Sequence, residues 1–404
     1  MKRLFLLLIL LLSLTTIFSA GRGISISEKI GIVILPAKVS GGWNISDADH
    51  LISILEEKAL ELQRFKVFSR NDIETIIKER NLGDLGITEN ALQASKLAGA
   101  RYAILLTLTS LSAQYSESSY GYLGSARLSL KLYDLKNGEL LAAKSFEKST
   151  FFGEETYEQA INAVITILAD DIWLTLREFF KLEAYVIKVE NGKVYLGGID
   201  PKIIKKGFIF KVETEDGNVG FIEILGYNKR TNAVMGKFMY GAMPQEYDPA
   251  TEYPVSPYIA SIGIGLYSGK VSLNMVGWST SQKIYLNTGI IMANFTNYIP
   301  MQITAGIKQS LLKLGRIETS VVGGVHLLSL YDMSETSTEP FLPTFGLAGG
   351  VHISYDFEPK SKLFAEVLYT MTFPDSFTQY ILTYIFGIDQ TSFMQITAGY
   401  AFSF

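Results

Sequence analysis

The chain has 404 residues, of which 48% are hydrophobic and 19% are charged, and its formal net charge is −4. This length allows two or three domains, and the composition is that of neither a disordered chain nor a wholly membrane-embedded one. The negative charge gives no basis for nucleic-acid binding, and the absence of cysteine excludes disulfides, cysteine metal sites and a lipid attached to a cysteine.

Residues 1–20 predict a secretory signal peptide. They begin with Lys2 and Arg3, continue with a leucine-rich core and end in small residues, which is the layout of a cleaved leader, with an uncleaved anchor as the alternative. Beyond them, no run of about 20 apolar residues predicts a spanning helix.

Residues 21–182 predict a mixed α/β domain. A buried strand, IGIVILPAK, precedes a helix in SDADHLISILEEKALELQRF, and a later strand, RYAILLTLTSL, leads to a hairpin at Asn137-Gly138. A long helix follows, because apolar residues recur at helical spacing. They are Tyr157, Ile161, Ile165, Leu168, Ile172, Leu176 and Phe179.

The next two segments predict a small all-β module at 183–243 and a linker at 244–256. Short strands in the module meet at Asn191-Gly192 and Asp216-Gly217, which are hairpin turn signals. The linker contains three of the chain's 11 prolines, and proline interrupts strand pairing.

Residues 257–404 predict a β-barrel of about eight antiparallel strands. Only 16 charged residues lie in this segment, against 60 in the 256 residues before it. Strands such as KLFAEVLYTMTF alternate large apolar residues with small or polar ones, so each strand has one apolar face. A soluble barrel would also alternate, but its water-facing side should be rich in Lys, Glu and Asp. Here that side is mostly Gly, Ala, Ser and Thr, which favours a membrane barrel with a narrow, filled interior.

The last strand, MQITAGYAFSF, ends the chain on an aromatic residue. Tyr400, Phe402 and Phe404 lie on its apolar face, and the strand resembles the C-terminal signal of outer-membrane β-barrel proteins. That resemblance implies an outer-membrane location and recognition by the barrel-insertion machinery. An even number of strands would place both barrel ends on the periplasmic side, so that residues 21–243 would lie in the periplasm.

Six charged residues fall on the face predicted to line the lumen, where we expect an ion-pair network. They are Lys308, Arg316, Glu318, Asp356, Lys362 and Glu366. His326 and His352 fall on the same face. A proton or ion pathway, or a metal pair at the histidines, is the less favoured alternative.

Residues 29–149 resemble the CsgG-like fold of the bacterial cell envelope, which includes the curli secretion channel. The resemblance rests on GIVILPAK, on RFKVFSRNDIETIIKERNL leading into ASKLAGARYAILLTL, and on LKLYDLKNGELLAAKSF. The module is similar to the C-terminal β module of flagellar assembly protein T, on GKVYLGG, KKGFIFKV and GFIEILGY. Asn137-Gly138 leaves no long hairpin from which many subunits could build a shared pore.

The predicted function is therefore non-catalytic. The barrel would anchor, in outer-membrane lipid, a periplasmic part whose residues 29–243 bind or organise envelope proteins or peptidoglycan, in secretion, appendage assembly or cell-wall attachment. The alternative is a transport protein that conducts small solutes or protons. An envelope enzyme would need a cluster of polar residues that the sequence lacks. No catalytic, cofactor or metal site is predicted.

Overall fold

The structure is a computed structural model, and it describes residues 24–39, 45–68, 99–117, 121–150, 153–228, 233–279, 283–292, 298–332, 344–373, 383 and 392–403. The chain divides into two compact units. The N-terminal unit comprises Met1–Phe238 and Ala242–Pro254, and the C-terminal unit comprises Met239–Gly241 and Val255–Phe404. The predicted signal peptide at 1–20 lies outside the described residues.

Among the described residues, two helices and a five-stranded sheet form the first part of the N-terminal unit. In chain order its elements are β1 (Ile24–Ile26), β2 (Ile30–Val39), α1 (Ile45–Glu61), β3 (Phe65–Phe68), β4 (Tyr102–Ser116), β5 (Gly121–Asp134), β6 (Leu140–Ser149) and α2 (Tyr157–Phe179). The sheet order is β3-β2-β4-β5-β6, with β2 parallel to both of its neighbours and the remaining pairs antiparallel. The predicted hairpin is confirmed, since Gly138 has φ +75° between β5 and β6.

Helix α2 begins with a capping box, in which Thr156 and Gln159 each bond the other's backbone N–H. The predicted apolar stripe is buried against the sheet except at its first residue, because Tyr157 is exposed. By length and composition α2 is the one helix among the described residues that could cross a membrane. Half of its most apolar stretch is buried, which is also what a core helix of a water-soluble fold shows.

Six strands close into a small barrel in the second part of the N-terminal unit. They are β7 (Phe180–Glu190), β8 (Lys193–Gly197), β9 (Ile209–Glu213), β10 (Val219–Asn228), β11 (Ala233–Gly241) and β12 (Pro249–Glu252). Their order is β7-β12-β9-β10-β11-β8, and β8 returns to β7 while β1 pairs with the start of β7. Asn191 and Gly192 both have positive φ in the β7–β8 turn, as a type I′ hairpin requires.

Strand β12 corrects one prediction, because it lies inside the stretch 244–256 that the prolines marked as a linker. Ala250 pairs with Ala184 of β7 on one side and with Val212 of β9 on the other. Pro249 is compatible with this strand because it is the first residue, where the missing N–H costs little. The core runs from the helices into the small barrel without a break, and α2 leads directly into β7.

The C-terminal unit is a closed barrel of eight antiparallel strands, as predicted. The strands are β13 (Tyr258–Tyr267), β14 (Lys270–Ser279), β15 (Ile284–Met292), β16 (Tyr298–Leu314), β17 (Ile317–Asp332), β18 (Thr344–Glu358), β19 (Ser361–Thr372) and β20 (Ser392–Ser403). Each strand pairs with the next one in the chain, and β20 pairs with β13. Both ends of the barrel segment therefore lie at the same rim, which we call the terminal rim.

The connections between strands differ between the two rims. At the terminal rim they are residues 280–283, 315–316 and 359–360, whereas the opposite rim carries 268–269, 293–297, 333–343 and 373–391. Outer-membrane barrels have short turns on the periplasmic side and longer connections outside the cell. The terminal rim has the short-turn pattern.

Candidate functional site

The outer wall of the eight-stranded barrel is apolar. Side chains that alternate along each strand point away from the barrel, and large aliphatic residues such as Ile264 and Ile307 are 64% and 65% exposed. Every strand contributes to this surface. Its further members include Leu266, Met275, Leu286, Val321, Val325, Leu347, Val351, Ile353, Leu363, Val367 and Ile396. A surface of this kind on a closed wall, with every strand paired on both sides, matches hydrocarbon rather than water.

The last strand closes the wall. Ala401 of β20 is opposite Ser261 of β13 on one side and Lys362 of β19 on the other, so the final strand has no free edge. Tyr400 is exposed on the apolar surface and Phe402 is half-buried. Phe404, the third residue of the predicted insertion signal, lies outside the described residues.

Charged side chains gather inside the barrel near the terminal rim. Lys362 Nζ lies 2.6 Å from Asp356 Oδ1, and Lys313 Nζ lies 3.5 Å from the other carboxylate oxygen. Lys308 is buried with its Nζ 3.9 Å from the ring centroid of Trp278, a close cation–π contact. Glu318 is partly buried and accepts a hydrogen bond from Ser320.

Arg316 is the exception among the six predicted lumen charges. It lies in the turn between β16 and β17, where its guanidinium donates to the backbone oxygens of Phe357 at 2.9 Å and Asp356 at 3.3 Å. Those carbonyls belong to the end of β18, so Arg316 fixes the rim, and it forms no ion pair with any side chain that the structure describes. The alternation along β17 did not show this, because the strand begins only at Ile317.

Glu366 is the centre of a hydrogen-bond network in the middle of the lumen. Its Oε1 accepts from the Tyr285 hydroxyl and, at 3.0 Å, from Asn287 Nδ2. His352 Nδ1 lies 3.0 Å from Oε2, so the imidazole donates to the carboxylate. Phe364 stacks on His352 at 5.4 Å between ring centroids. A buried carboxylate surrounded by three donors is a stable arrangement where water is excluded.

A second network lies toward the opposite rim and contains no carboxylate. His326 is 3.0 Å from the Tyr267 hydroxyl through Nε2 and 2.9 Å from Thr304 Oγ1 through Nδ1. Asn274 and Gln302 bond each other at 2.7 Å beside it. These groups are buried. Alternation along the strands predicts that their side chains point into the barrel, but it does not predict which residues they bond.

The two lumen histidines are far apart. His352 of β18 is opposite Ser320 of β17. His326 lies six residues beyond Ser320 along β17, which is about 20 Å at the rise of a β-strand. Across the part of the chain that the structure describes, no group of three His, Asp or Glu side chains is placed to hold a metal ion. A metal shared by the two histidines is incompatible with this register.

Large side chains fill the space between the networks. Tyr267, Tyr285, Trp278, Phe364 and Leu368 are all buried inside the wall. Phe364 and Leu368 fall on the face that the sequence analysis took to be small and polar, so part of the lumen is packed with apolar groups. Eight strands enclose an interior that side chains alone can fill.

A buried ion triad in the N-terminal unit is not among the residues predicted from the sequence. Arg64 and Arg177 both reach the carboxylate of Glu252, at 2.7 Å and 2.8 Å, and all three side chains are almost fully buried. Leu182 N donates to the same carboxylate and Arg64 donates to the Phe180 carbonyl. Arg64 directly precedes β3, Arg177 is in the last turn of α2 and Glu252 ends β12, so the triad fastens the small barrel to the helices and sheet.

Electrostatics within the triad favour its charged form. Burial by itself would raise the pKa of Glu252, but the charges and hydrogen bonds of the two arginines hold that pKa below its ordinary value. Burial lowers the pKa of Arg177, and Glu252 partly offsets this. No spacing in the sequence signals the triad, because Arg64 and Glu252 are 188 residues apart.

Comparisons with known proteins give only distant structural likenesses. No protein-family model matches the chain, and no curated protein matches it. Similar solved structures include the LpoB C-terminal domain from Salmonella enterica, at 13% identity over 31% of this chain and 84% of that one, with a TM-score of 0.22. Lipoprotein GNA1162 from Neisseria meningitidis has 14% identity over 35% of this chain and 97% of its own, with a TM-score of 0.26.

A third likeness is to a major outer membrane protein from Thermus thermophilus, with 13% identity over 36% of this chain and 98% of that one, and a TM-score of 0.25. One of these three is described as a lipoprotein and another as an outer membrane protein. Since the TM-scores are far below 0.5, we infer neither fold nor function from them.

Proposed function

We propose that the protein is a non-catalytic outer-membrane protein, in which the eight-stranded barrel is a membrane anchor for an N-terminal unit that binds or organises other envelope components. One observation carries this proposal: a closed barrel with an apolar outside and an interior filled by side chains. Such a wall is suited to lipid, while the filled interior leaves anchoring as its simplest use.

The proposed location places the N-terminal unit in the periplasm. The short connections at the terminal rim support this orientation, since that rim carries the link to the N-terminal unit. Insertion of a closed barrel holds a protein far more durably than one acyl chain does, which suits a chain without a cysteine for lipid attachment.

Labelling in intact cells tests this orientation. Because the chain has no cysteine, Glu213→Cys on the small barrel and Ser337→Cys in the 333–343 connection each introduce a single thiol. A membrane-impermeant maleimide should label Ser337→Cys in intact cells and Glu213→Cys only after the outer membrane is permeabilised. The reverse pattern, or equal labelling of both, contradicts the proposal.

Transport is the alternative function, and the packed lumen weighs against it. We expect no steady single-channel conductance from the full chain reconstituted in planar bilayers, because Trp278, Tyr285 and Phe364 occupy the space that a solute would need. A stable conductance that disappears on unfolding of the barrel would favour transport over anchoring.

The finer proposal is that the helices and five-stranded sheet are a CsgG-like domain for envelope assembly. The sequence motifs support this, as does the packing of the two described helices against one face of a mixed sheet. Crosslinking from the N-terminal unit in intact cells tests it: a secretion, appendage or peptidoglycan-synthesis protein as the captured neighbour supports it, and no specific neighbour contradicts it.

A further inference from the structure

A ladder of three tyrosines lies at one end of the helices and sheet of the N-terminal unit. Tyr115 of β4 and Tyr122 of β5 are a cross-strand pair, with ring centroids 5.5 Å apart, and Tyr122 meets Tyr157, the first residue of α2, at 6.4 Å. Both contacts are edge-to-face. The outer rings are 56% and 47% exposed, so the ladder is not a closed part of the core.

The fold places this ladder where the sheet extends past the start of α2. Gly124 lies against the first turn of the helix, since an added Cβ would clash with the Ala160 backbone. Tyr122 is therefore just beyond the helix end, and Tyr115 lies opposite it on the neighbouring strand β4. Tyr157 is the single member of the predicted apolar stripe that is not buried, and its ring meets the edge of Tyr122.

Four glutamates lie close to the tyrosines along the chain or across a β-bridge. Glu117 is two residues after Tyr115, just beyond the end of β4, and Glu154 forms a β-bridge with Tyr122. Glu155 and Glu158 lie two residues before and one residue after Tyr157 in the chain. Gly121 admits the segment with Glu154, because a Cβ there would lie 2.6 Å from the Glu154 carbonyl oxygen. A helix N-terminus favours nearby acidic groups, which accounts for Glu155 and Glu158 but not for Glu117, Glu154 or the open rings.

The segments that carry these tyrosines and glutamates contain no Lys or Arg. The sequence contains no Lys or Arg between Arg101 and Arg127, nor between Lys148 and Arg177. Among the described residues, none of the four glutamates forms an ion pair with a Lys or Arg. Open tyrosine faces attract cations, and the carboxylates add a negative potential of the matching sign.

We propose that the ladder is a docking surface for an extended, Lys- and Arg-rich peptide segment of a partner protein. Alternate side chains of an extended peptide are about 6.6 Å apart, close to the ring spacings of 5.5 and 6.4 Å. Successive basic side chains could thus lie over successive rings while the glutamates neutralise their charge. The inference rests on the proposed role of the N-terminal unit in binding envelope components.

The test is the binding of a fluorescent peptide of repeated Lys-Arg-Gly units to the purified full chain in detergent, measured by anisotropy. The wild type should bind it with a Kd that rises with salt, and should bind a Glu-Asp-Gly control peptide at least about tenfold more weakly. The joint change of Glu117, Glu154, Glu155 and Glu158 to Gln should weaken binding by about tenfold or more.

Variants of the tyrosines separate the contribution of the rings to peptide binding from that of the glutamates. Tyr115→Ala and Tyr157→Ala should each weaken binding about two- to fivefold, whereas Tyr115→Phe should retain most of it because the ring remains. Tyr185→Ala on the small barrel, where the tyrosine is similarly exposed, is the matched control and should leave the Kd unchanged. Circular dichroism of each variant shows whether it is folded.

Several results would overturn the inference. They are equal affinity for the basic and acidic peptides, binding that the glutamate and tyrosine variants leave unchanged, and self-association of the chain through this surface in place of peptide binding. Preferential binding of a soluble peptidoglycan fragment would indicate a glycan ligand at this surface, and it would equally contradict the inference of a basic peptide. Binding in detergent does not depend on anchoring, so failure here is distinguishable from failure of the labelling test.

Discussion

The two closed barrels of this chain bury opposite faces. In the six-stranded barrel the buried residues are apolar, such as Val194, Phe210 and Ile222, while Lys188 and Glu213 are exposed. In the eight-stranded barrel many of the buried residues are polar, such as Asn274, Gln302 and Glu366, while many large apolar residues are exposed. Both sequences alternate with the same period. The difference teaches that alternation predicts a wall with two faces, and that the surroundings decide which face is inside.

The two units also differ in how they accommodate buried charged residues. The N-terminal unit buries Glu252 only with two arginines and a backbone donor around it, inside an apolar core. The eight-stranded barrel distributes charge through a polar interior, where Glu366 is bonded by neutral and ionisable groups alike. Loss of one partner should therefore cost more in the N-terminal unit than in the lumen.

Glu252→Gln should have the largest effect. It leaves Arg64 and Arg177 buried without a counter-charge, and removing one partner of a buried ion pair costs about 3–5 kcal/mol. Hydrogen exchange of the full chain in detergent should show loss of protection in β12, β7 and the end of α2. Unchanged protection in these elements would mean that the triad does not fasten the small barrel.

Val351→Lys should have the next largest effect. Val351 lies in the middle of β18 on the apolar surface, and a lysine at the middle of a bilayer costs about 2–4 kcal/mol in barrels of this kind. Urea unfolding in lipid vesicles measures it. Ile187→Lys on the exposed face of the small barrel is the control, with an expected change below about 0.5 kcal/mol. Similar costs at both positions would contradict the contrast between the barrels.

Glu366→Gln should cost less, about 1.5–3 kcal/mol, because hydrogen bonds to a charged group become bonds to a neutral one. The same urea titration in vesicles measures it. Thr370→Val on the same strand is the control, since the Thr370 hydroxyl has no hydrogen-bond partner among the described groups. Its removal should be nearly neutral, and an equal loss for both variants would mean that the network around Glu366 adds no stability.

Acid should weaken the N-terminal unit through Glu252. Because the folded pKa of this group lies below its unfolded value, the triad stabilises the fold fully above the unfolded pKa, near 4.5. As pH falls from there, the unfolded chain takes up the proton first, and stability declines by up to about 1.4 kcal/mol per pH unit until the folded carboxyl protonates too. Hydrogen exchange of β12 measured at decreasing pH should show this decline. The Glu252→Gln variant should not show the part of the decline that comes from protonation of Glu252.

The smallest effect is expected at the surface ion pair between Arg127 and Glu147. Their charged atoms are 2.7 Å apart, but both side chains are more than half exposed. Glu147→Gln should change stability by at most about 1 kcal/mol, as measured by the same hydrogen-exchange experiment. A loss of stability close to that of Glu252→Gln would mean that burial does not explain why the triad is stabilising.

Local patterns predicted much of the fold. Alternation in 257–404 predicted a barrel of about eight strands with an apolar outer face, and Asn191-Gly192 predicted a hairpin, because period and turn chemistry are properties of neighbouring residues. Pairing between distant segments was not accessible in this way. Pro249–Glu252 looks like a linker until β7 and β9 pair with it on both sides.

The candidate site was only partly predictable for the same reason. Lys362 and Asp356 are close in sequence across a tight turn, so their shared face followed from alternation, and the structure pairs them. Two of the three partners of Glu366 lie 79 and 81 residues before it on another strand. Arg316 was misplaced because the end of a strand, unlike its interior, has no periodic signal.

A cysteine scan along β18 tests the central claim most directly. In a chain without native cysteine, single substitutions from Val351 to Phe357 can carry a fluorophore, and a quencher attached to lipid chains reports contact with hydrocarbon. Quenching should be strong at Val351, Ile353 and Tyr355 and weak at His352, Ser354 and Asp356. Uniform quenching, the opposite alternation, or a barrel that stays dissolved without detergent would contradict a lipid-facing wall.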